Sequence, residues 1–347
     1  MMRGEFLMKK KFSLLVLLVV ITVLTTACSM KSAGGSTKPD DVIDIVWYPN
    51  ESGSDMKSSR DEIANVIEES TGKKVEHHLT TDYAIAIETI VNNNADVAFM
   101  GAQGYIEAHK GNEAIKPLVV PTGPSGTLED AVYHSWLAVN ADAQETFKKD
   151  GEFSLDTIEG KKMSFVSGFK VPAADILNPF TQQEKYADLT EMDLMKGGSL
   201  FSKVLFGNSH QGSAVNLLKG NADVAAFCDT CVENYVEVVE GKENTVGAVY
   251  QVQDDAAEPF DQVTGKKFTL MSVTPVLNAP FVANVDVLGQ EDLDKLQNVF
   301  TSGEVANNEE IFVPEDSGKS GLFFKTGKER FAAVKDSWFD PIRDLSN

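Results

Sequence analysis

The sequence Asn-Ala-Asp-Val-Ala stands at residues 94–98 and again at residues 221–225. Each copy follows an amphipathic stretch of helical spacing that opens on polar residues, Thr81-Asp82 in the first case and Ser209-His210 in the second. Each copy also leads into a short apolar run that is typical of a buried β-strand. Two copies of one helix–strand unit predict two lobes of similar build.

The residues after each of these strands predict a polar turn, Gly101–Gly104 in the first unit and Cys228–Cys231 in the second. Along the rest of the chain, strands alternate with helices, a pattern typical of parallel α/β lobes. The predicted strands are Val42–Tyr48, Lys74–Leu79, Asp96–Met100, Leu118–Pro121, Ala131–Val139, Met163–Val166 and Phe268–Thr274, and the predicted helices are Asp55–Ser70, Asp82–Asn92, Glu291–Phe300 and Lys328–Arg343.

The chain is predicted to pass between the two lobes twice, near Val139 and near Lys267. This division gives a first lobe of residues 42–138 and 268–347, which includes the C-terminal helices, and a second lobe of residues 139–267. Two α/β lobes joined by two strands form a hinge with a cleft between them, in which a ligand can be enclosed.

The composition of the chain excludes several classes of protein. With 347 residues, 42% of them hydrophobic, the chain can bury one large core or two medium ones, so it is not a disordered protein. Its 31 Lys and Arg stand against 52 Asp and Glu, a formal net charge of −21. Because so acidic a surface repels phosphate backbones, the sequence predicts no nucleic-acid partner.

The N-terminal residues predict export. Lys9–Lys11 form a basic segment, and the apolar run Phe12–Leu24 has the length of a signal-peptide core. Ala27-Cys28 follows and resembles a bacterial lipobox, which implies a signal peptide of residues 1–27 and a lipidated, flexible tether of residues 28–41. The alternative is an ordinary signal peptide or membrane anchor with an incidental cysteine. The expected location is the extracytoplasmic face of the bacterial cell membrane.

Motifs of enzyme chemistry are absent from the sequence. It has no phosphate-binding loop, no dinucleotide fingerprint and no Gly-x-Ser-x-Gly elbow. His77 and His78 are neighbours in a predicted strand, so their side chains point to opposite faces and cannot share a metal ion. We therefore predict no catalysis, no cofactor and no metal site.

Cys228 and Cys231 are the two cysteines left after the predicted signal peptide. An even pair outside the cytoplasm favours a disulfide. A thioredoxin-type redox motif is the alternative, since the Cys-x-x-Cys spacing also suits that chemistry.

Six blocks of sequence resemble those of the phosphate, phosphite and phosphonate ABC-transporter substrate-binding proteins, and together they span nearly all of the chain after the predicted signal peptide. The resemblance implies a two-lobed periplasmic-binding-protein fold of type II, in a monomer that closes on a small molecule and delivers it to a membrane permease. The blocks are Thr81-Asp82-Tyr83, Asp96–Gly101, Tyr133-His134-Ser135, Phe206–His210, Asn221–Ala225 and Ser272–Pro275.

The same resemblance implies roles for individual residues. Tyr83, Tyr133 and His210 match family residues that contact the phosphoryl group of the ligand. Asp82, Ser209 and His210 also stand at predicted helix starts, where unpaired N–H groups favour an anion. Ser135, Ser167 and Asn278 complete the polar set that we expect at the cleft.

This sequence departs from the family pattern at Ser167–Ala174, where most hydroxyls of the usual Ser-Thr-Ser-Gly turn are missing. Two alternatives follow. Lys170 can supply a positive charge in place of the hydroxyls and keep a phosphorus oxyanion as the ligand. Otherwise an aromatic pocket takes a neutral or cationic nutrient, with Asp229 as counter-charge. The aromatic residues of that pocket would be Tyr83, Tyr133, Phe169 and Phe227.

Overall fold

The computed structural model describes residues 41–167 and 189–345. The predicted signal peptide, the tether, the lipidation site at Cys28 and the predicted ligand contacts Phe169 and Lys170 lie outside the described residues. Among the helices of the described ranges, none combines the length and the apolar composition needed to cross a membrane.

The described residues form two large β-sheets and several helices. The strands are β1 (Val42–Trp47), β2 (Lys74–Leu79), β3 (Val97–Phe99), β4 (Ile115–Pro121), β5 (Val132–Asn140), β6 (Lys148–Lys149), β7 (Glu152–Phe153), β8 (Lys162–Phe165), β9 (Lys203–Phe206), β10 (Val224–Cys228), β11 (Val236–Glu240), β12 (Val249–Val252), β13 (Lys267–Leu277), β14 (Phe281–Asn284), β15 (Phe312–Pro314), β16 (Phe323–Lys325) and β17 (Phe331–Ala333).

The α-helices are α1 (Lys57–Thr71), α2 (Tyr83–Val91), α3 (Ala102–Gly111), α4 (Glu191–Leu194), α5 (His210–Leu218), α6 (Val285–Leu288), α7 (Gln290–Phe300), α8 (Gly303–Ala306) and α9 (Asp340–Leu345). Short 3₁₀ helices cover Pro49–Ser52, Leu128–Asp130, Ala141–Phe147, Leu155–Ile158, Phe260–Gln262, Glu315–Ser317 and Asp336–Phe339.

The first sheet has the strand order β17-β4-β14-β3-β1-β2, and β1 pairs in parallel with both β2 and β3. Alternate side chains of β1 pack on opposite faces of the sheet. Ile45 and Trp47 lie in the apolar core with α1 and α7, whereas Val46 lies in the core with α2 and α3. The sheet is therefore covered on both faces.

The second sheet has the order β11-β12-β13-β5-β10-β8-β9. Its strand β5 alternates in the same way: Trp136 packs with the core that contains α5, and Leu137 packs with Phe165 and Phe201 on the other face. The two sheets and their separate cores confirm the prediction of a two-lobed α/β fold.

Strands β5 and β13 connect the two sheets. They pair with each other antiparallel from Phe268 opposite Asn140 to Leu277 opposite Val132. Strand β4 precedes β5 and strand β14 follows β13, and both of these belong to the first sheet. Two crossings between the sheets are thus confirmed. The chain crosses before β5 begins and after β13 ends, and not near Val139 and Lys267 as predicted. The lobe boundaries of 42–138 with 268–347 and of 139–267 stay a prediction.

The structure corrects two predicted elements. Gly101–Gly104 is not a turn, because α3 begins at Ala102 and its first residues are buried. Gly104 serves close packing there, since a Cβ at this position would overlap the hydroxyl oxygen of Tyr48. Lys328–Arg343 is not one helix, because the buried Phe331 pairs with Pro121 as part of β17, and only α9 is helical at the end.

The repeated sequence has the same local geometry in both lobes. The residues before the repeats, Asn93 and Gly220, have left-handed φ angles of 63° and 76°, which end the preceding helices. The N–H groups of Asn94 and Asn221 then donate back to the carbonyls of residues 89 and 216, each at 2.9 Å.

The aspartates of the repeats make equivalent hydrogen bonds to the neighbouring parallel strand. The Asp96 carboxylate accepts from the N–H of Asp44 in β1 at 2.6 Å, and the Asp223 carboxylate accepts from the N–H of Lys162 in β8 at 2.8 Å. The N–H of Asp96 donates to the carbonyl of Asp44 at 2.9 Å, and the N–H of Asp223 donates to the carbonyl of Lys162 at 2.8 Å. The repeat therefore ties each helix to its sheet.

Candidate functional site

A cavity of about 400 Å³ lies between the two sheets and is lined by residues of both. Its lining contains seven of the residues predicted from the sequence to contact a ligand. They are Tyr83, Tyr133, Ser135, Ser167, His210, Phe227 and Asn278.

The starts of three helices line this cavity: Tyr83 of α2, residues 102–104 of α3, and His210 with Gln211 of α5. The Asp82 carboxylate caps α2 by accepting from the N–H groups of residues 84 and 85, and the Ser209 hydroxyl caps α5. The cap of α3 is Gly101, which has no side chain to accept a hydrogen bond. Three helix N-termini therefore direct partial positive charge towards one cavity.

Asn50 links the two lobes across the cavity. Its side-chain oxygen accepts from the Tyr83 hydroxyl at 2.7 Å and from the backbone N–H of His210 at 3.0 Å. Its carbonyl accepts from the side-chain amide of Gln211 at 3.3 Å. A single residue, Asn50, thus accepts hydrogen bonds from donors of both α2 and α5.

Two further hydrogen-bonded contacts cross the cleft. The Tyr235 hydroxyl donates to the Asp55 carboxylate at 2.6 Å. The side-chain amide of Asn234 donates to the Gly321 carbonyl at 3.1 Å and accepts from the Gly321 N–H at 3.0 Å. The described lobes are therefore in direct contact around the cavity.

Carboxylic acids are prominent in the cavity lining, whereas none of its described residues is a lysine or arginine. Burial raises the pKa of Glu51 to about 8, and burial, followed by the charge of Asp229, raises the pKa of Glu233 well above its usual value. Glu51 consequently favours the uncharged form near neutral pH, and burial shifts Glu233 in the same direction. The acidic residues of the lining are Glu51, Glu107, Glu233, Glu243, Glu315 and Glu329.

Two buried oxygen atoms of the lining have no hydrogen-bond partner among the described residues, Oε2 of Glu51 and Oε1 of Gln211. Gln211 is only 5% exposed. A buried acceptor without a donor is costly, so both atoms suit a ligand that brings an N–H or O–H group. Glu51 can also provide its own proton, because its pKa lies near 8.

The His210 imidazole is held by the strand that follows its helix, since Nδ1 accepts from the N–H of Cys228 at 2.9 Å. Burial lowers the pKa of His210 to about 3, so the ring is neutral near pH 7. With Nδ1 as an acceptor, Nε2 carries the proton. Cys228 itself is joined to Cys231 by a disulfide that lines the cavity.

Four residues predicted for the site do not contribute to the described lining. Ser209 is occupied as the cap of α5, and the Asp229 carboxylate accepts hydrogen bonds from the backbone and the ring of His134, at 2.9 and 2.8 Å. Asp229 is therefore already paired with His134 and is not among the described lining residues of the cavity. Phe169 and Lys170 lie outside the described residues.

Phe227 reaches the cavity but is 1% exposed and packs edge-on against Trp136 and Phe268 in the core of the second lobe. Its main role is therefore packing. Sequence reasoning missed Asn50, Glu51 and Gln211. Two of these residues could have been predicted from their positions, because ends of parallel strands and starts of helices are common ligand-binding positions. Asn50 follows the first strand, and Gln211 stands beside His210 at a helix start.

Comparisons with known proteins identify the family and the fold of this chain. A profile of the family described as "ABC transporter, phosphonate, periplasmic substrate-binding protein" matches residues 45–339. A protein of Mycolicibacterium smegmatis named phosphate-import protein PhnD is 26% identical over 283 residues, which cover 79% of this chain and 77% of that protein.

Two solved structures show the same fold. One is PhnD1 of Prochlorococcus marinus in complex with methylphosphonate, with a TM-score of 0.62 and 14% identity over 88% of this chain and 97% of that one. The other is a binding protein component of an ABC phosphonate transporter of Pseudomonas aeruginosa, with a TM-score of 0.60 and 19% identity over 88% of this chain and 85% of that one.

The chain is thus a two-lobed binding protein, and it belongs to the family of periplasmic substrate-binding proteins of phosphonate ABC transporters. Members of this family are binding components of importers and are not enzymes. A small-molecule ligand and a transporter permease are the partners that membership implies.

Proposed function

We propose that this protein captures a small phosphorus oxyanion or phosphonate between its closing lobes and delivers it to the permease of an ABC importer. The observation that carries the proposal is the convergence of the α2, α3 and α5 starts on one cavity. Helix N-termini bind phosphate groups through unpaired N–H groups and the helix dipole. The ligands named for the relatives from M. smegmatis and P. marinus, phosphate and methylphosphonate, support this class.

The acidic lining is compatible with an anion when its carboxyl groups are protonated. Glu51, with a pKa of about 8, is mostly uncharged at pH 7 and can donate a hydrogen bond to a ligand oxygen. Ionisation of Glu51 would instead repel the ligand. We therefore expect affinity for the anion to fall as the pH rises through about 8.

The binding of the anion is tested by the midpoint of thermal unfolding with phosphate, phosphite or methylphosphonate. Each ligand that binds is expected to raise the midpoint. Tyr83→Phe, His210→Ala and Lys170→Ala are expected to weaken binding, each by about 1.5 to 3 kcal/mol, the range for hydrogen bonds to charged groups. Tyr105→Phe is the matched control, because Tyr105 and Asp336, to which its hydroxyl donates, both lie outside the described cavity lining.

A cationic or neutral nutrient is the second candidate, and the unpartnered Oε1 of Gln211 beside the acidic lining favours it. A bound cation would lower the pKa of Glu51 and Glu233 and favour their ionised forms, so these carboxylates rather than Asp229 would meet its positive charge. If none of the three anions changes the unfolding midpoint and an organic amine raises it, this candidate replaces the anion. Glu51→Gln distinguishes the two candidates, because it should weaken the binding of an amine and preserve the binding of an anion above pH 8.

The mature protein is proposed to be a monomer anchored through lipid on Cys28 at the extracytoplasmic face of the membrane. The basic and apolar residues before Cys28 support this proposal. Cys28→Ala should move the protein from the membrane fraction to the soluble fraction without a change in ligand affinity. An unchanged membrane fraction would contradict the anchor.

A further inference from the structure

The side chains of His210, Cys228 and Cys231 lie together at the cavity wall. One nitrogen of the imidazole and the two sulfur atoms are all within 4.8 Å of one another. Helix α5 begins at His210, and β10 ends at Cys228, whose N–H donates to the imidazole. The cluster is therefore positioned by the same helix–strand unit that forms the wall of the second lobe.

The donor set of this cluster is one of those that proteins use for zinc. Two cysteine sulfurs at Cys-x-x-Cys spacing with one imidazole nitrogen supply three ligands of a tetrahedral Zn²⁺ site. No local motif in the sequence marks this set, because His210 lies 18 positions before Cys228. The structure brings His210 to the pair through its hydrogen bond with Cys228.

We propose that, once the Cys228–Cys231 disulfide is reduced, His210 and the two cysteines bind a thiophilic divalent cation such as Zn²⁺ at the wall of the cavity. Reduction by a dithiol transfers two electrons and two protons to the S–S bond, and the dithiol becomes a disulfide. Coordination then releases the two thiol protons to solvent, because the metal binds thiolates. The Nδ1 lone pair of His210, which accepts from the N–H of Cys228 in the disulfide form, gives up that hydrogen bond to bind the ion. The disulfide and the metal are alternative occupants of one site.

The surroundings of the cluster place no competing positive side chain beside a cation. Among its described residues, the cavity is lined by no lysine or arginine. Two thiolates balance the charge of a divalent ion, so the occupied site is close to neutral. All three ligand residues border the cavity, and the fourth position of a tetrahedral ion can therefore be filled from it.

The test uses the full chain carrying Cys28→Ala, so that the only thiols are those of Cys228 and Cys231. The protein is reduced with dithiothreitol, freed of reductant without oxygen, and titrated with Co²⁺ and then with Zn²⁺. We expect one equivalent of Co²⁺ to give thiolate-to-cobalt charge-transfer absorption and tetrahedral d–d bands, which Zn²⁺ then removes. The oxidised protein should give neither.

Variants identify the ligands. Cys231→Ser should remove most of the charge-transfer absorption, and His210→Ala should weaken Co²⁺ binding by about tenfold or more, since even outer-shell partners of a metal are worth ~10–100-fold. His78→Ala is the control, because His78 lies in β2 of the first sheet and should leave binding unchanged. Circular dichroism checks that each variant is folded.

Two results would overturn the proposal. One is a reduced protein with two titratable thiols that gives no cobalt bands. The other is Co²⁺ binding that His210→Ala leaves unchanged, which would assign the metal to the thiols alone. Neither result depends on which nutrient the cleft binds, so the metal site and the proposed function can fail separately.

Discussion

The two helix–strand units, residues 82–104 and 209–231, are alike up to the ends of their strands and differ afterwards. In the first unit the chain enters α3, whose uncapped N-terminus lines the cavity. In the second it enters a turn closed by the disulfide of Cys228 and Cys231. The repeated residues thus build the scaffold, and the residues that follow them give each cavity wall its own chemistry.

The scaffold itself is not equally buried in the two lobes. Asp96 is 3% exposed, whereas the side chain of Asp223 is 35% exposed and lies 3.6 Å from the Lys162 ammonium. The same hydrogen bond to a neighbouring strand therefore has different surroundings. Its contribution to stability should be larger where water cannot replace the lost partner.

The largest expected effect separates these two aspartates. Asp96→Ala leaves the buried backbone N–H of Asp44 without its carboxylate acceptor and should lower the free energy of unfolding by about 3 kcal/mol, the upper end for a hydrogen bond to a charged group. Asp223→Ala should cost about 1 kcal/mol, because water can reach the site. Denaturant unfolding measures both. Equal losses would contradict the comparison, and Asp96→Asn should recover part of the loss.

The second-largest effect concerns Gly104, which lies in the helix that follows the strand of the first unit. Gly104→Ala places a methyl group against the hydroxyl of the buried Tyr48 and should cost about 2 kcal/mol, within the range for overpacking. Gly101→Ala is the matched control, because a Cβ there meets no atom within 4 Å. Thermal unfolding of both variants is the measurement. A Gly104→Ala protein as stable as the control would show that Tyr48 moves freely into the cavity.

The smallest effect concerns the hydrogen bond between His134 and Asp229, the residue that directly follows the strand of the second unit. The hydrogen bond with Asp229 raises the pKa of His134. Its stabilising contribution is therefore complete below about pH 6.5, the unfolded pKa of histidine, and is lost as the pH rises through the folded pKa. His134→Gln should lower the unfolding midpoint more at pH 6 than at pH 8.5. Asp229→Asn should reduce the same pH dependence, and a difference that does not vary with pH would refute this assignment.

The sequence predicted those parts of the fold that depend on local chemistry. Asp82 and Ser209 are the helix caps that their positions indicated, and the predicted strands around the two repeats are present. The predicted helix Lys328–Arg343 was wrong because Phe331 is buried by pairing with β4, a partner more than two hundred residues earlier. Long-range pairing of this kind overrides local preference.

The candidate site was predictable only in part for the same reason. Tyr83 and His210 were predicted because they match residues of the family, and each begins a helix in the structure. The pairing of Asp229 with His134 follows from the register of β5 and β10, in which Ser135 lies opposite Cys228, and no local pattern contains this register. The acidic lining comes from glutamates far apart in the chain, each unremarkable in its own segment.

The position of Asn50 has a consequence for selectivity. Its side-chain oxygen already satisfies the Tyr83 hydroxyl and the His210 N–H, so a ligand oxygen that takes its place exchanges one acceptor for another. A neutral carbonyl gains nothing by this exchange, whereas a charged oxygen forms hydrogen bonds about twice as strong. Asn50 is thus expected to compete with a ligand for these two donors, which favours a charged ligand oxygen over a neutral one.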